Sequence, residues 1–198
     1  MVNNFDLIRS YLKFENSGDF YFIQLISRRK DNPELDKAQY VRKTYYIYSV
    51  EGFDNKREEI IHLCEYYNAR AYIHFTKRNN ETISKHMVQD IVRDYFNGVR
   101  DFSHLWETVC GQHCEKPKTW VIDIDKKDNE SIEDQILLAT NRINSCMPFG
   151  DKIVATIPTK NGVHLITEPF NLLDFKNGYK FETVPDVHKN NPTVLYIP

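Results

Sequence analysis

Apolar positions change their period several times along the chain, and each change marks an element. From Asn4 to Phe14, the residues Leu7, Ile8, Tyr11, Leu12 and Phe14 share one helical face. Phe20 to Ser27 is a short apolar run of strand type, and Lys43 to Val50, rich in Tyr and Ile, is another. The charged stretch Arg28 to Gln39 interrupts them, which predicts antiparallel strands joined by a long, mobile loop. Helical spacing returns from Asp54 to Asn68 through Ile60, Ile61, Leu63, Cys64 and Tyr67, and Ala69 to Phe75 is again of strand type. The clearest helix spans Glu81 to Phe96, where Ile83, Met87, Val88, Ile91, Val92 and Tyr95 line one side and Gly98 stands at the stop. Phe102 to Val109 predicts a further short helix.

The second half has a different rhythm. Thr119 to Ile124 is an apolar strand that ends in acids. Ser131 to Ile143 is helical, with Ser131 and Asp134 spaced as a capping box. Lys152 to Ile157 and Gly162 to Thr167 read as strands around a Pro-Thr-Lys-Asn-Gly turn, and Val194 to Ile197 reads as a closing strand. The order β-α-β-β, then helix and strand, predicts an α/β (α+β) chain. Its second part would be an RRM-like, split-βαβ antiparallel sheet with helices on one face. An N-terminal α/β module would pack on it. The boundary between lobes is expected near Gly111 to Lys118, giving lobes of 1–115 and 116–198 within a single domain.

Composition narrows the function. With 198 residues, 41% of them hydrophobic, the chain can bury one core or two joined lobes. The formal net charge of −2 argues against coating nucleic acid by bulk attraction, though not against a local grip. The basic clusters Arg28–Arg29–Lys30, Lys77–Arg78 and Lys116 to Lys118 read first as solvated loops. Met1 to Asp6 lacks a signal-peptide layout and the apolar runs are too short for a bilayer, which predicts a cytoplasmic protein with no membrane partner. Cys64, Cys110, Cys114 and Cys146 form no dense framework and are expected as free thiols.

Four segments could carry chemistry. In Trp120-Val121-Ile122-Asp123-Ile124-Asp125, the two acids lie two apart on a strand and project together. Paired carboxylates resist ionising unless a cation lies between them, and hard divalent metals take such ligands. The plainer alternative is a strand running into a polar loop, with Lys126 and Lys127 balancing the acids. In Thr159-Lys160-Asn161-Gly162-Val163-His164, a glycine-containing hairpin brings backbone amides, Lys160 and His164 together as phosphate donors; His164 could equally be a satisfied core histidine. Asp186, after Val184-Pro185, could complete a metal site or sit on a surface turn, and Asp174 is its rival at a helix end. Finally, Arg70, Tyr72 and His74 share a strand face, followed by Lys77 and Arg78. Facing the acids across a cleft, Arg70, His74, Lys77 and Arg78 would bind template or triphosphate; otherwise they form a solvated edge. Cys110-Gly111-Gln112-His113-Cys114 is crowded with metal-type ligands but lacks an evident fourth, so structural zinc is not expected.

The order Val121-Ile122-Asp123-Ile124-Asp125, then Gly162-Val163-His164, then Pro185-Asp186 resembles the three motifs of the archaeo-eukaryotic primase superfamily, which includes primase-polymerases of plasmids, phages and mobile elements. The resemblance covers about residues 119 to 198; the N-terminal half is similar in layout alone. It implies a DNA primase/polymerase, a nucleotidyltransferase acting in replication. Asp123, Asp125 and Asp186 would be its catalytic acids, holding two Mg²⁺ or Mn²⁺ ions. His164, Lys160, Gly162 and Thr159 would bind the nucleoside triphosphate. The partners implied are a single-stranded DNA template or primer-template and, since the chain shows no helicase domain, a helicase or other replication subunit. The sequence departs from the family after the third motif, where Lys189 is present but no arginine. Two alternatives stay open: a catalytically inactive or partner-dependent nucleic-acid-binding subunit, and a metal-dependent nuclease.

Overall fold

The computed structural model describes residues 1–126, 131–179 and 184–198. The chain begins with β1 (Val2–Asn3) and a single turn of helix, α1 (Phe5–Arg9). The helix is shorter than its apolar spacing predicts. Past Ser10 the chain turns away, but Tyr11, Leu12 and Phe14 still cover the core. Then come β2 (Asp19–Arg28), β3 (Gln39–Ile47), α2 (Val50–Tyr66), β4 (Arg70–Ile73), β5 (Arg78–Asn79), α3 (Asn80–Phe96) and α4 (Leu105–Gln112). Ser49 caps α2 by accepting from the Gly52 amide at 2.9 Å.

The loop between β2 and β3 is tied down rather than free. Asp31 pairs with Arg70 at 2.6 Å, Asn32 donates to the Asn68 carbonyl at 2.9 Å, and Asn68 donates back to the Asp31 carbonyl at 2.7 Å. Asn68 holds φ +43, the left-handed conformation that ends a helix, and so hands α2 over to β4.

The second part contains β6 (Trp120–Asp125), α5 (Ile132–Ser145), β7 (Ile153–Pro158), β8 (Gly162–Thr167), α6 (Leu172–Asn177), β9 (Asp186–His188) and β10 (Thr193–Ile197). Ser131 caps α5 through the Glu133 and Asp134 amides, as its spacing predicts. The chain is thus mixed α and β, with two antiparallel sheets.

One sheet runs β7-β8-β6-β9, which is the split-βαβ order for β6-α5-β7-β8-α6-β9. Its fourth strand is β9 and not the apolar run at Val194 to Ile197. That run, β10, crosses back to pair with β4 and β1 in the other sheet, ordered β1-β10-β4-β2-β3 with β5 beside β2. A cut near residue 116 therefore does not separate the sheets. Alternation along β6 shows how they share an interior. Ile122 and Ile124 pack with Ala139, Ile143 and Phe175 under the helices, whereas Val121 joins Ile157 and Ile166 in the core that contains Phe5, Ile23 and Leu195.

The apolar side of α3 is largely bare: Ile83 is its one buried residue, and Val88, Val92, Tyr95 and Phe96 are exposed.

Candidate functional site

Because β6 is an inner strand, its residues have partners on both sides. Asp123 stands opposite His164 of β8 and opposite Asp186 of β9. Directly paired residues project to the same face, so His164, Asp123 and Asp186 form a row across three strands. Asp125 lies two residues further on the same face, opposite Gly162. His188, paired with Val121, stands in the next row. Gly162 has a different reason from the one its turn suggests. A Cβ there would lie 1.9 Å from the Ile124 carbonyl oxygen, so the close approach is made by β6 itself.

His164 is held between the sheets. Its Nδ1 is 2.9 Å from the hydroxyl of Thr193, the fully buried first residue of β10, and its Nε2 is 3.6 Å from Asp123 Oδ1. Burial pushes the imidazole below its ordinary range against the pull of Asp123. Burial also pushes Asp123 up, opposed by His164 and reinforced by the charges of Asp125 and Asp186. For a neutral ring beside a carboxylate, both nitrogens are satisfied when Thr193 donates to Nδ1 and Nε2–H turns toward the acid.

Across from the acids lies the first sheet. A cleft of about 580 Å³ runs between the walls, lined on one side by Gln24, Arg28, Lys30, Arg70 and Tyr72 and on the other by Asp123, Asp125, Thr159, Lys160 and His164. Arg28, burial and Arg70, in that order, hold the Lys30 ammonium below its ordinary value, which reports crowded cations. Arg70 is paired with Asp31, while Arg28 donates to the Tyr72 hydroxyl at 3.3 Å. The turn of the second sheet is fixed locally: the Gly162 amide donates to Thr159 Oγ1 at 3.0 Å, and the Thr159 amide donates to the Gly162 carbonyl at 2.9 Å.

Of the four basic candidates in the N-terminal half, the structure brings Arg70 alone to the acids. Alternation stops where β4 ends at Ile73. His74 is buried against Phe22, with ring centroids 5.4 Å apart. Lys77 is paired with Asp19 at 2.7 Å and Glu15 at 2.8 Å. Arg78 is fully buried and donates to the Cys110 carbonyl at 2.9 Å and to the Thr76 carbonyl. These three are engaged within the fold, and none of them lines the cleft. In their place the cleft has Arg28 and Lys30, whose basic triplet at a strand end was the available signal. Tyr72, His188 and Thr193 also join the site without having been assigned a role by sequence. Lys189 lies over the Trp120 ring at 5.0 Å, and Asp174 is in the first turn of α6.

Cys64, Cys110 and Cys146 are buried free thiols, and burial pushes Cys64 and Cys110 up to about 12, far from a reactive thiolate. Among the described residues, no three His, Cys, Asp or Glu side chains converge as a metal site. The donor chemistry of Asp123, Asp125 and Asp186 nevertheless suits a hard divalent cation, and the repulsion among them is what such a cation relieves.

No family model matches the chain, nor does any curated protein or solved structure. Among the described residues, no helix is long and apolar enough to cross a membrane.

Proposed function

We propose that this protein is a divalent-metal-dependent nucleotidyltransferase of the primase-polymerase type, joining nucleoside triphosphates on a single-stranded DNA template. The observation that carries this reading is that Asp123, Asp125 and His164 face Arg28, Lys30 and Arg70 over one cleft, with Asp186 next to Asp123 on the neighbouring strand. Acids on one wall and cations on the other suit a ligand that brings both metal and phosphate.

Asp123, Asp125 and Asp186 would hold Mg²⁺ or Mn²⁺, which when bound neutralises triphosphate charge and favours ionisation of the attacking hydroxyl. His164, oriented by Thr193, offers Nε2–H as a donor to a phosphate oxygen. Lys160 and the Thr159–Gly162 turn line the same wall and would fix the triphosphate tail. Arg28 and Lys30 would take phosphate charge from the other side.

The test is incorporation of labelled nucleotides on a single-stranded template, with and without primer, in Mg²⁺ and in Mn²⁺. Product that disappears in Asp125→Ala is the expected result, and the lane without primer decides primase activity. Full incorporation by Asp125→Ala overturns the assignment. The absence, among the described residues, of a converged three-ligand group favours a second reading, a partner-dependent or inactive nucleic-acid-binding subunit. Triphosphate binding without turnover would select it.

A further inference from the structure

On the opposite face of β2 and β3 from the cleft, a line of rings and cations projects from the surface. The Arg42 guanidinium lies 5.5 Å from the centroid of the Tyr40 ring and 5.3 Å from that of Tyr67. Tyr67 meets Tyr66 edge-on at 4.8 Å, and Tyr66 stacks toward His62 at 6.4 Å. Lys37 also lies over the Tyr40 ring, at 5.5 Å. The anchoring is one-sided. Arg42 Nε donates to Ser27 Oγ at 2.9 Å, and Ser27 Oγ donates to the Tyr67 carbonyl at 3.1 Å, so the base of the line is fixed. Tyr66, 73% exposed, and Tyr67, 39% exposed, leave ring surface to solvent.

We propose that Tyr40, Arg42, Tyr67 and Tyr66 form a stacking platform for the unpaired bases of a single-stranded nucleic acid. Aromatic faces interleaved with a guanidinium take successive bases irrespective of sequence, provided cations nearby accept the backbone. Those cations are present. On this face they are Lys37 and Arg42; Arg28 and Lys30 belong to the cleft, Lys43 is paired with Glu59, and the Tyr40 hydroxyl donates to Asp36. A cationic ligand does not fit, because the Arg42 guanidinium beside the Tyr40 and Tyr67 rings would repel it. An uncharged ligand would leave these cations unused. A planar, anionic polymer uses both.

The platform also meets the cleft. Arg28 and Gln39, paired across β2 and β3, line the cleft. Ser27 and Tyr40, the neighbouring pair, stand on the other face of the same sheet edge. A strand leaving the cleft past Arg28 therefore reaches Tyr40 by rounding the edge strand β3. The binding itself does not depend on the catalytic reading.

The experiment measures fluorescence anisotropy of a labelled oligothymidylate of about 12 nucleotides, a length within the usual reach of such sites. It uses the full chain, with EDTA and without nucleoside triphosphate, so that catalysis in the cleft plays no part. The expected result is salt-dependent binding, weakened about tenfold in Tyr66→Leu and in Arg42→Gln, and within about twofold of the parent in Tyr66→Phe. Tyr95→Leu, which removes an exposed tyrosine beside Arg100 on α3, is the control and is expected to bind as the parent does. The proposal is overturned if the parent protein fails to bind the oligomer at low salt. Binding by Tyr66→Leu and Arg42→Gln as tight as the parent's overturns it as well, and so does an equal loss in Tyr95→Leu.

Discussion

Thr193 holds His164 across the junction of the two sheets, hydroxyl to Nδ1 at 2.9 Å. The contact fixes the imidazole so that Nε2 is turned to Asp123. If His164 binds phosphate, Thr193 is its positioning residue. Thr193→Val, which keeps the shape and removes the hydroxyl, is expected to weaken triphosphate binding roughly 3- to 10-fold, the worth of one hydrogen bond. Thr193→Ser should restore most of it. Calorimetric titration with a non-hydrolysable triphosphate measures both, and unchanged affinity in Thr193→Val would remove the positioning role.

Asp123 is crowded by two acids and partly buried, so its charge works against the fold. Asp123→Asn is expected to raise the melting temperature in metal-free buffer while lowering nucleotide incorporation by about 100-fold or more. Differential scanning calorimetry with EDTA reads the first effect and the incorporation assay the second. A variant less stable than the parent would mean that Asp123 is a structural residue.

At Gly162 the constraint is steric. An alanine Cβ would overlap the Ile124 carbonyl, so Gly162→Ala must push β8 away from β6 beside Asp125. A loss of about 1–3 kcal/mol, or more if the strands part, is expected in urea unfolding. A variant of parental stability would show that the two strands can separate at no cost.

Asp19 sets an acid limit on the fold. Its side chain is 1% exposed and accepts from the Glu15 and Asn16 amides, Lys77 Nζ and Asn79 Nδ2. Despite burial, which pushes the other way, the bonds from Asn79, Lys77 and Asn16 hold its carboxyl down to about 2. The folded value lies below the unfolded value of about 3.9, so the stabilisation is complete above that pH and is lost as pH falls through the window toward 2. The contribution is about 2–3 kcal/mol at neutral pH. Asp19→Asn should lose that stability at pH 7 and show a flatter decline on acidification, measured by urea unfolding at a series of pH values.

Much of the acidic wall was legible in the sequence because it is local. Two acids at strand spacing, a turn ending in a histidine and an isolated Asp after proline need only the period of a β-strand to be placed on one face. Their register needed the structure: nothing in the three residues of β9 announces that Asp186 will face Asp123. The closing apolar run has the stronger strand signal, yet its partner β4 lies more than a hundred residues away and could not be read from pattern. The cationic wall failed for the same reason. Whether Arg28 is solvated or faces a carboxylate depends on how two distant sheets meet, and Arg78 looks like a surface cation until α4 covers it.

The connection from β9 to β10 gives the cleft its mechanical character. Only Lys189, Asn190, Asn191 and Pro192 separate His188 on the acidic sheet from Thr193 on the other, and Asn190 is fastened to the Gly111 carbonyl at 2.6 Å. Even fully extended, such a link spans less than about 20 Å. The two walls are jaws on a short tether, and behind it residues of both sheets, Val121 and Ile166 with Ile23 and Leu195, share one packed core. Parting the walls at that end would stretch the tether and strip apolar contacts from that core, so widening the cleft carries a cost in buried surface.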